Sequence, residues 1–267
     1  MPTIGLIGSG NMGSAIVKGV LKNNAAAAGD ILAYDVDALR LASFALETGA
    51  RAVESNAELV DLSQVIILAV KPDAAPGVLK EIADRFSGDK LLISIVLGLS
   101  LNSLSELTGG RARYIRCLPN TPALVNEGMT CVAMGGGTTP DDRVLAEKLF
   151  NAIGKTEFMS ESDLGKVTSL TSSSPAYIFI LIEAMADAAV LGGLQRGAAY
   201  RLAAQAVLGS AKMVLETGRH PGDLKDMVCS PAGSTIEAIL VLENMGFRSS
   251  VIEAMKACEA RVRELSA

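Results

Sequence analysis

The first 160 residues alternate short, continuous apolar runs with longer amphipathic stretches. The run at residues 65–70 is the clearest, because an unbroken β-branched run is typical of a strand buried on both faces of a parallel sheet. It ends at Lys71-Pro72, since proline cannot continue a hydrogen-bonded ladder. The pattern predicts an open, doubly wound α/β domain over residues 1–160. Strands are expected at 4–7, 31–35, 51–53, 65–70, 91–97, 113–118, 129–134 and 155–159, and helices at 14–21, 38–47, 74–85 and 141–152.

Residues 161–267 carry no strand pattern and predict an all-helical second domain. The segment 177–182 is apolar on every side of a helix, and such a helix must be buried all round. A domain this small has difficulty enclosing one, so we predict a subunit interface. Helices are expected at 162–193, 196–217, 234–245 and 248–265. An apolar stripe in the last helix belongs either to the core or to a dimer seam: Val251, Met255, Cys258, Val262 and Leu265.

The apolar segment 177–182 is soon followed by Glu183 and Asp187, which makes it too short to span a membrane. The chain begins a strand at once, which argues against a secretory signal. The net charge is −5 and the basic residues are spread along the chain, so nothing indicates binding to nucleic acid or to an anionic membrane. We therefore expect a soluble cytoplasmic protein that binds a small molecule.

Composition limits the chemistry further. Apolar residues make up 49% of the chain but aromatic residues only 4%, so the core must be built from aliphatic side chains and methionine. The chain has a single histidine, so we expect no His-rich metal site and no metal cofactor. The cysteines form no CxxC pair and are expected to be buried free thiols. They are Cys117, Cys131, Cys229 and Cys258.

Residues 8–13, Gly-Ser-Gly-Asn-Met-Gly, lie between the first predicted strand and the first predicted helix. In this setting the motif is the fingerprint of a Rossmann-type dinucleotide site. Gly8 permits a tight turn, Gly10 lets the backbone approach a pyrophosphate, and Gly13 lets the helix pack closely on the strand. The unpaired N–H groups at the helix N-terminus then hold the phosphates.

Asp35 ends the second predicted strand, 22 residues after Gly13. An acid at this position is expected to accept hydrogen bonds from the adenosine ribose, and the alternative is a solvated loop acid. A 2′-phosphate beside Asp35 would meet like charge, at a cost of about 4 kcal/mol at about 4 Å and an effective dielectric of about 20. Arg40, one turn further on, could offset that charge. Asp35 therefore favours NADH over NADPH.

A second candidate site lies in residues 224–235, which precede a predicted helix. Small and hydroxyl residues before a helix leave backbone N–H groups free, which makes a site for a carboxylate. The alternative is that Ser234 or Thr235 only caps the helix.

Residues 224–243, LKDMVCSPAGSTIEAILVLE, resemble the C-terminal signature of pyrroline-5-carboxylate reductases. The resemblance extends over nearly the whole chain. It implies hydride transfer from NADH or NADPH to the C=N bond of 1-pyrroline-5-carboxylate, giving L-proline. It also implies a homodimer formed by the C-terminal helices, with larger rings of dimers in relatives. The other motifs are GSGNMG at 8–13, LAVKP at 68–72, RCLPNTP at 116–122, LTSSSPAY at 170–177, HPGDLKD at 220–226 and GFRS at 246–249.

Site residues follow from the resemblance by position. Thr235 corresponds to the hydroxyl that contacts the substrate nitrogen, which makes it the candidate catalytic residue. The implied substrate contacts are Ser234, Thr235, Glu161, Asn120 and Thr121. The implied cofactor contacts are Ile7, Gly8, Ser9, Gly10, Asn11, Met12 and Gly13, then Asp35 and Asn56 near the adenosine, and Ala69, Val70, Lys71, Pro72, Ile95, Val96 and Leu97 toward the nicotinamide.

The chain departs from the family pattern at Ser172, Ser174 and Ala232, where glycine is usual. The added Cβ atoms either narrow the pocket or are tolerated. Met227 stands where some relatives carry an asparagine that contacts the cofactor, so that contact is not transferred. His220 precedes a proline and is interpreted as part of a structural turn.

Two other functions remain open at this point. A β-hydroxyacid dehydrogenase has the same kind of first domain and an all-helical second one, but it needs a catalytic lysine with an asparagine four residues later. Lys166 is in about the right place, yet position 170 is Leu. A non-catalytic dinucleotide-binding protein is the second alternative. For Lys71, cofactor contact and solvation of the strand end are equally acceptable.

Overall fold

The computed structural model describes residues 2–266, with side chains through residue 264. Its strands are β1 (Ile4–Ile7), β2 (Ile31–Tyr34), β3 (Arg51–Ala52), β4 (Val65–Leu68), β5 (Leu91–Ser94), β6 (Arg113–Leu118), β7 (Gly128–Met134) and β8 (Gly154–Phe158). Its helices are α1 (Asn11–Lys22), α2 (Ala38–Thr48), α3 (Asn56–Leu62), α4 (Ala75–Ile82), α5 (Leu101–Leu107), α6 (Pro140–Asn151), α7 (Glu161–Lys166), α8 (Ser174–Leu191), α9 (Arg196–Thr217), α10 (Pro221–Val228), α11 (Ser234–Asn244) and α12 (Phe247–Ser266).

The described strands form one sheet in the order β3-β2-β1-β4-β5-β6-β7-β8. All neighbouring pairs are parallel except β6 and β7, which are antiparallel. The chain order reverses between β1 and β4, and ligands of open α/β sheets bind at the carboxyl ends of the strands beside such a switch point. The predicted doubly wound sheet is confirmed, and it places the ends of β1 and β4 side by side.

Both faces of the sheet are buried, as the continuous apolar runs predicted. Leu68 points into the cluster that contains Leu79 of α4, while its neighbour Ile67 points into the opposite cluster with Ile16 of α1 and Phe150 of α6. These side chains are almost completely buried. Successive residues of a strand face opposite sides, so a strand covered by helices on both sides must be apolar throughout.

Two short helices of the sheet region, α3 and α5, were not predicted. Each begins at a capping serine: Ser55 Oγ accepts a hydrogen bond from the Glu58 N–H at 3.1 Å, and Ser100 Oγ accepts one from the Ser103 N–H at 3.0 Å. Each has only seven residues. A helix of that length is too short to show a clear apolar repeat.

The predicted continuous helix at 162–193 was wrong. The structure divides this segment into α7, a π-helical turn at Thr168–Ser172, and α8. Pro175 lies in the first turn of α8. Because proline has no N–H to donate to the preceding turn, it starts a new helix here and does not extend α7. The helix α10 was also not predicted.

The cysteine prediction was right for two residues and wrong for two. Cys117 and Cys131 are buried, while Cys229 and Cys258 are partly exposed, and all four are free. Burial raises the pKa of both the Cys117 and the Cys131 thiols.

The contacts within the chain divide it into two units. One extends through Ser172 and includes the chain from Arg261 onward, and the other is Ser173–Ala260. The helix α7 packs against β7 in the first unit. The domain boundary between residues 160 and 161 stays a prediction.

The helical unit exposes a large apolar surface. Phe179 and Ile180 of α8 are 60% and 66% exposed. The segment 177–182 lies within the helical stretch Thr168–Leu191, which has a mean hydropathy of 1.6. Of the described helices this stretch is the one that is long and apolar enough to cross a membrane, so the expectation that it is too short was wrong by length and composition. In the last helix Val251 is exposed and Met255, Cys258 and Val262 are half-buried, while the side chain of Leu265 lies outside the described residues. This surface fits the predicted subunit interface.

We expect Ile180→Glu to weaken self-association, because a carboxylate in an apolar contact loses its hydration without gaining a partner. Light scattering coupled to size-exclusion chromatography should show a lower mass for the variant than for the wild type. Leu46→Glu on α2, where Leu46 is 88% exposed in the sheet unit, is the matched control and should leave the mass unchanged. An unchanged mass for Ile180→Glu would contradict the interface.

Candidate active site

The turn between β1 and α1 requires two of its three glycines because of close packing. Gly8 has φ +96°, and a Cβ there would lie 2.7 Å from the carbonyl oxygen of Ala69. A Cβ on Gly13 would lie 2.3 Å from the carbonyl oxygen of Gly8. A Cβ on Gly10 would meet nothing within 4 Å. Gly8 and Gly13 are therefore required by packing, and Gly10 leaves open space over the turn, as the fingerprint predicted.

The N-terminus of α1 is open to an anion. Gly10 is the N-cap residue and no side chain caps the helix. The Ser14 N–H donates to the Gly10 carbonyl at 2.8 Å, and the Ser14 hydroxyl donates to the Ser9 carbonyl at 2.8 Å. These bonds fix the turn without using the first N–H groups of the helix. In Rossmann-type sites the N–H groups at this position bind a pyrophosphate, and for this chain that contact stays a prediction.

Asp35 is buried and holds the glycine turn. Its Oδ2 accepts hydrogen bonds from the Ser9 N–H at 2.8 Å and from the Ser9 hydroxyl at 3.0 Å, and its Oδ1 accepts from the Asp37 N–H at 2.9 Å. Arg40 Nη1 lies 3.6 Å from Oδ1. Burial alone would raise the pKa of Asp35, but the hydrogen bonds from Asp37 and Ser9 and the charge of Arg40 together lower it. Asp35 is thus not a solvated loop acid, and its contact with a ribose stays a prediction.

A cavity of about 530 Å³ opens beside this turn and collects most of the predicted cofactor residues. The predicted residues that do not line it are Ser9, Gly13, Pro72, Ile95, Val96 and Leu97. Several lining residues were not predicted, although most of them lie at or just after the ends of β2 and β4, where ligands of such sheets bind. The predicted residues that line the cavity are Ile7, Gly8, Gly10, Asn11, Met12, Asp35, Asn56, Ala69, Val70 and Lys71, and the missed ones are Tyr34, Val36, Asp37, Asp73, Ala74 and Val78.

Asn56 shows that the cavity suits a nucleotide. Its side chain is buried, and its Nδ2 donates to Glu81 Oε2 at 3.1 Å. Its Oδ1 is buried without a hydrogen-bond partner. A buried acceptor of this kind is costly unless a ligand supplies a donor. The hydroxyl and amino groups of an adenosine are such donors, so the residues present fit the cofactor.

The remaining cofactor candidates lie around the ends of β4 and β5. The Ile95 N–H donates to the Leu68 carbonyl at 3.1 Å, Val96 is buried, and Leu97 is 38% exposed. The Lys71 carbonyl accepts from the N–H groups of Ala74 and Ala75, and the Lys71 side chain is exposed. The Lys71 carbonyl therefore closes the turn after β4, and the residue lines the cavity with an exposed side chain. Its contact with the cofactor stays a prediction.

Asn120 is tied to the backbone at both ends of its amide. Its Oδ1 accepts from the Met129 N–H at 2.8 Å, and its Nδ2 donates to the Thr171 carbonyl at 2.9 Å. Its neighbour Thr121 is exposed at the start of a 3₁₀ turn, Thr121–Val125. Asn120 thus joins the end of β6, β7 and the π-helical turn. The substrate contacts of Asn120 and Thr121 stay predictions.

Glu161 also has partners within the sheet unit. Its Oε1 accepts from the Leu101 N–H at 2.7 Å and lies 3.1 Å from Arg116 Nη1. The Arg116 side chain is 11% exposed, so the ion pair is largely shielded from water. The carboxylate links β6, α5 and α7, which is a structural role that sequence reasoning missed. Its contact with the substrate stays a prediction.

In the helical unit, α11 begins at Ser234 with Gly233 as its N-cap. No side chain caps the helix, so the alternative in which Ser234 or Thr235 is the cap was wrong. The two residues occupy the first turn, and their N–H groups belong to the set that has no partner within a helix. Thr235 is half-buried. The binding of a substrate carboxylate by this turn stays a prediction.

The departures from the family pattern fall at defined places. Ala232 has φ +56° and is exposed. Ser172 ends the π-helical turn and Ser174 begins α8. The exposed Met227 contacts Arg219. The Ala232 Cβ therefore strains the backbone, because a left-handed φ favours glycine.

Two residues that invited catalytic interpretations have structural partners. His220 is the N-cap of α10, and its Nδ1 accepts a hydrogen bond from the Gly222 N–H at 3.1 Å. The predicted structural turn is confirmed. Lys166 lies on the surface of α7 with its Nζ 2.7 Å from Asp163 Oδ1. The lysine that a β-hydroxyacid dehydrogenase needs is thus engaged in an exposed ion pair.

Comparison with known proteins decides the family. The chain is 48% identical over 263 residues to the pyrroline-5-carboxylate reductase of Escherichia coli strain K12, and the match covers 98% of each chain. The chain belongs to the pyrroline-5-carboxylate reductase family. The family model described as pyrroline-5-carboxylate reductase dimerisation matches residues 161–265. The model described as NADP oxidoreductase coenzyme F420-dependent matches residues 3–98.

Solved structures of this reductase family have the same fold. A pyrroline-5-carboxylate reductase from Coxiella burnetii superimposes with a TM-score of 0.93 at 34% identity, covering 100% of this chain and 99% of that one. The pyrroline carboxylate reductase of Plasmodium falciparum, determined with NADP bound, has a TM-score of 0.90 at 31% identity and covers 100% of this chain and 98% of that one.

Asp35→Asn should lower the free energy of unfolding at neutral pH by about 1–3 kcal/mol, because an amide cannot accept all the hydrogen bonds that the carboxylate accepts. The folded pKa lies below the unfolded one, so this stability is present above about pH 4 and is lost as the pH falls through the lowered pKa. Urea unfolding of both proteins should show a difference that shrinks below about pH 4. A difference independent of pH would contradict the role of the charge.

Ala232→Gly should stabilise the protein by about 1 kcal/mol, because it removes the Cβ from a residue whose backbone is in the left-handed conformation. Thermal or urea unfolding of the wild type and the variant measures this. Ala238→Gly, at an exposed position within α11, is the control and should destabilise by about 0.5–1 kcal/mol. If both substitutions destabilise equally, the backbone strain at Ala232 is disproved.

Proposed function

We propose that the chain is a pyrroline-5-carboxylate reductase, which transfers a hydride from NADH or NADPH to the C=N carbon of 1-pyrroline-5-carboxylate and forms L-proline. The full-length match to reductases of that name carries the proposal, because it includes both the glycine turn and the C-terminal turn. The second candidate function is the oxidation of a β-hydroxyacid, which needs a catalytic lysine. Lys166 instead forms an ion pair with Asp163 on the surface of α7, which does not support that role.

The sheet unit binds the nucleotide. The N–H groups at the start of α1 hold the pyrophosphate, and Asn56 Oδ1 accepts a hydrogen bond from the adenosine. Residues at the ends of β4 and β5 border the nicotinamide, which supplies the hydride when the cofactor is bound. Asp35 keeps Ser9, and with it the turn, in the geometry that the pyrophosphate requires.

The helical unit binds the substrate. The N–H groups of Ser234 and Thr235 hold its carboxylate, and the Thr235 hydroxyl orients the ring nitrogen. A protonated imine is already electrophilic, so positioning and electrostatic stabilisation supply most of the rate. The Thr235 hydroxyl relays a proton at most, and its alkoxide is not needed.

Assembly and compartment complete the proposal. The exposed apolar helices form a homodimer, and the dimers associate further into a ring. The match of residues 161–265 to a dimerisation model supports self-association through this part of the chain. The reductase acts in the cytoplasm. The reductant is NADH or NADPH, and the charge of Asp35 favours NADH.

Steady-state reduction of 1-pyrroline-5-carboxylate, with NADH and NADPH in turn, tests the function. Proline formation together with cofactor oxidation supports it. Oxidation of hydroxy acids without imine reduction would establish the dehydrogenase alternative. Cofactor binding without turnover of either substrate would establish a non-catalytic dinucleotide-binding protein.

Thr235→Ala should lower kcat by about tenfold to a hundredfold without abolishing it, because each tenfold corresponds to about 1.4 kcal/mol, the size of one orienting hydrogen bond. Thr235→Ser keeps the hydroxyl and should retain most of the activity. Steady-state kinetics measure both, with cofactor binding as the check on folding. A folded, cofactor-binding Thr235→Ala protein without any activity would show that the hydroxyl has a larger role.

A further inference from the structure

Two cavities meet at the start of α1. The cavity of about 530 Å³ described above runs toward β4, and a second, of about 480 Å³, runs between α1 and α2. Gly10, Asn11 and Arg40 line both. We propose that Arg40 is the specificity-determining residue that binds the adenosine 2′-phosphate of NADPH at this junction. This inference rests on the nicotinamide cofactor of the proposed function.

The orientation of Asp35 makes room for a phosphate. Its Oδ2 is occupied by both donors of Ser9, and its Oδ1 by the Asp37 N–H. The side chain is only 5% exposed. The carboxylate is therefore directed into the protein, and its charge is partly compensated by these donors. A phosphate at the junction meets less like charge than the sequence alone implied.

Arg40 is held at the junction by two acids. Its Nη1 lies 3.6 Å from Asp35 Oδ1, and its Nη2 lies 3.1 Å from Asp37 Oδ2. Asp37 also accepts the Arg40 N–H at 3.0 Å, as the N-cap of α2. A guanidinium has five N–H donors, so these two ion pairs leave donors for a ligand. Its planar fork matches a phosphate in a two-point hydrogen bond.

The exposure of Arg40 agrees with this role. Its side chain is 51% exposed, so the guanidinium is within reach of a ligand in either cavity. The cations that line the second cavity are Lys18, Lys22 and Arg40, and of these only Arg40 also lines the first cavity. Lys18 is already paired with Glu47 at 2.5 Å. Arg40 is thus the cation that lines both cavities and also lies beside Asp35, the acid that follows β2.

Equilibrium binding of NADH and NADPH, followed by nucleotide fluorescence without any imine, tests the proposal. The two ligands differ only in the 2′-phosphate, so their Kd ratio isolates that group. We expect Arg40→Gln to weaken NADPH binding about tenfold or more and NADH binding less than about twofold. Arg40→Lys, which keeps the charge but loses the fork, should fall between the wild type and Arg40→Gln.

Lys18→Gln is the matched control, because Lys18 lines the same cavity as a half-exposed cation away from the junction. Its Kd ratio should stay within about twofold of the wild type. Three results would overturn the proposal: equal weakening of both nucleotides by Arg40→Gln, an equal effect of Lys18→Gln, or no binding of NADPH by the wild type. Because no turnover is measured, failure of imine reduction would leave the binding result unaffected.

Discussion

The close approach of backbone to backbone at the β1–α1 turn is the constraint on which the nucleotide site depends. The α-carbon of Gly13 faces the carbonyl of Gly8, and Gly8 faces the carbonyl of Ala69 across the neighbouring strand end. With α1 drawn this near, its first N–H groups point over the carboxyl edge of the sheet. Asp35 then fixes the intervening Ser9 from the end of β2. Three strand ends are thereby joined around one turn.

Features with a local physical signature could be predicted from the sequence. The run at residues 65–70 indicated a doubly buried strand because only such a strand has no polar face. The three glycines indicated the turn because their spacing matches the packing it needs. Pro175 also signals a helix start, but the apolar residues that follow it favoured a single continuous helix over 162–193. The short helices α3 and α5 depend on single capping serines and on tertiary packing, so no repeat revealed them.

The candidate site could be predicted as a set of positions but not as a set of bonds. Asn56 and Asp35 were both predicted near the adenosine. Both carboxylate oxygens of Asp35 accept hydrogen bonds from the protein, whereas Asn56 Oδ1 has no hydrogen-bond partner. Asn120 and Glu161 likewise bind the chain's own backbone and Arg116. Which atom of a polar side chain remains available is decided by partners distant in the sequence. Residue type and spacing do not contain that information.

The two units differ in how completely each encloses its own apolar side chains. In the described part of the helical unit the fully buried apolar residues are small, Ala186, Ala199 and Ala203, while its larger ones line the surface. A single folded chain therefore leaves large apolar side chains of this unit in contact with water, which is unfavourable. The match to a dimerisation model indicates that another copy covers them. Association of that kind is governed by mass action, so the stability of the helical unit depends on protein concentration while that of the sheet core does not.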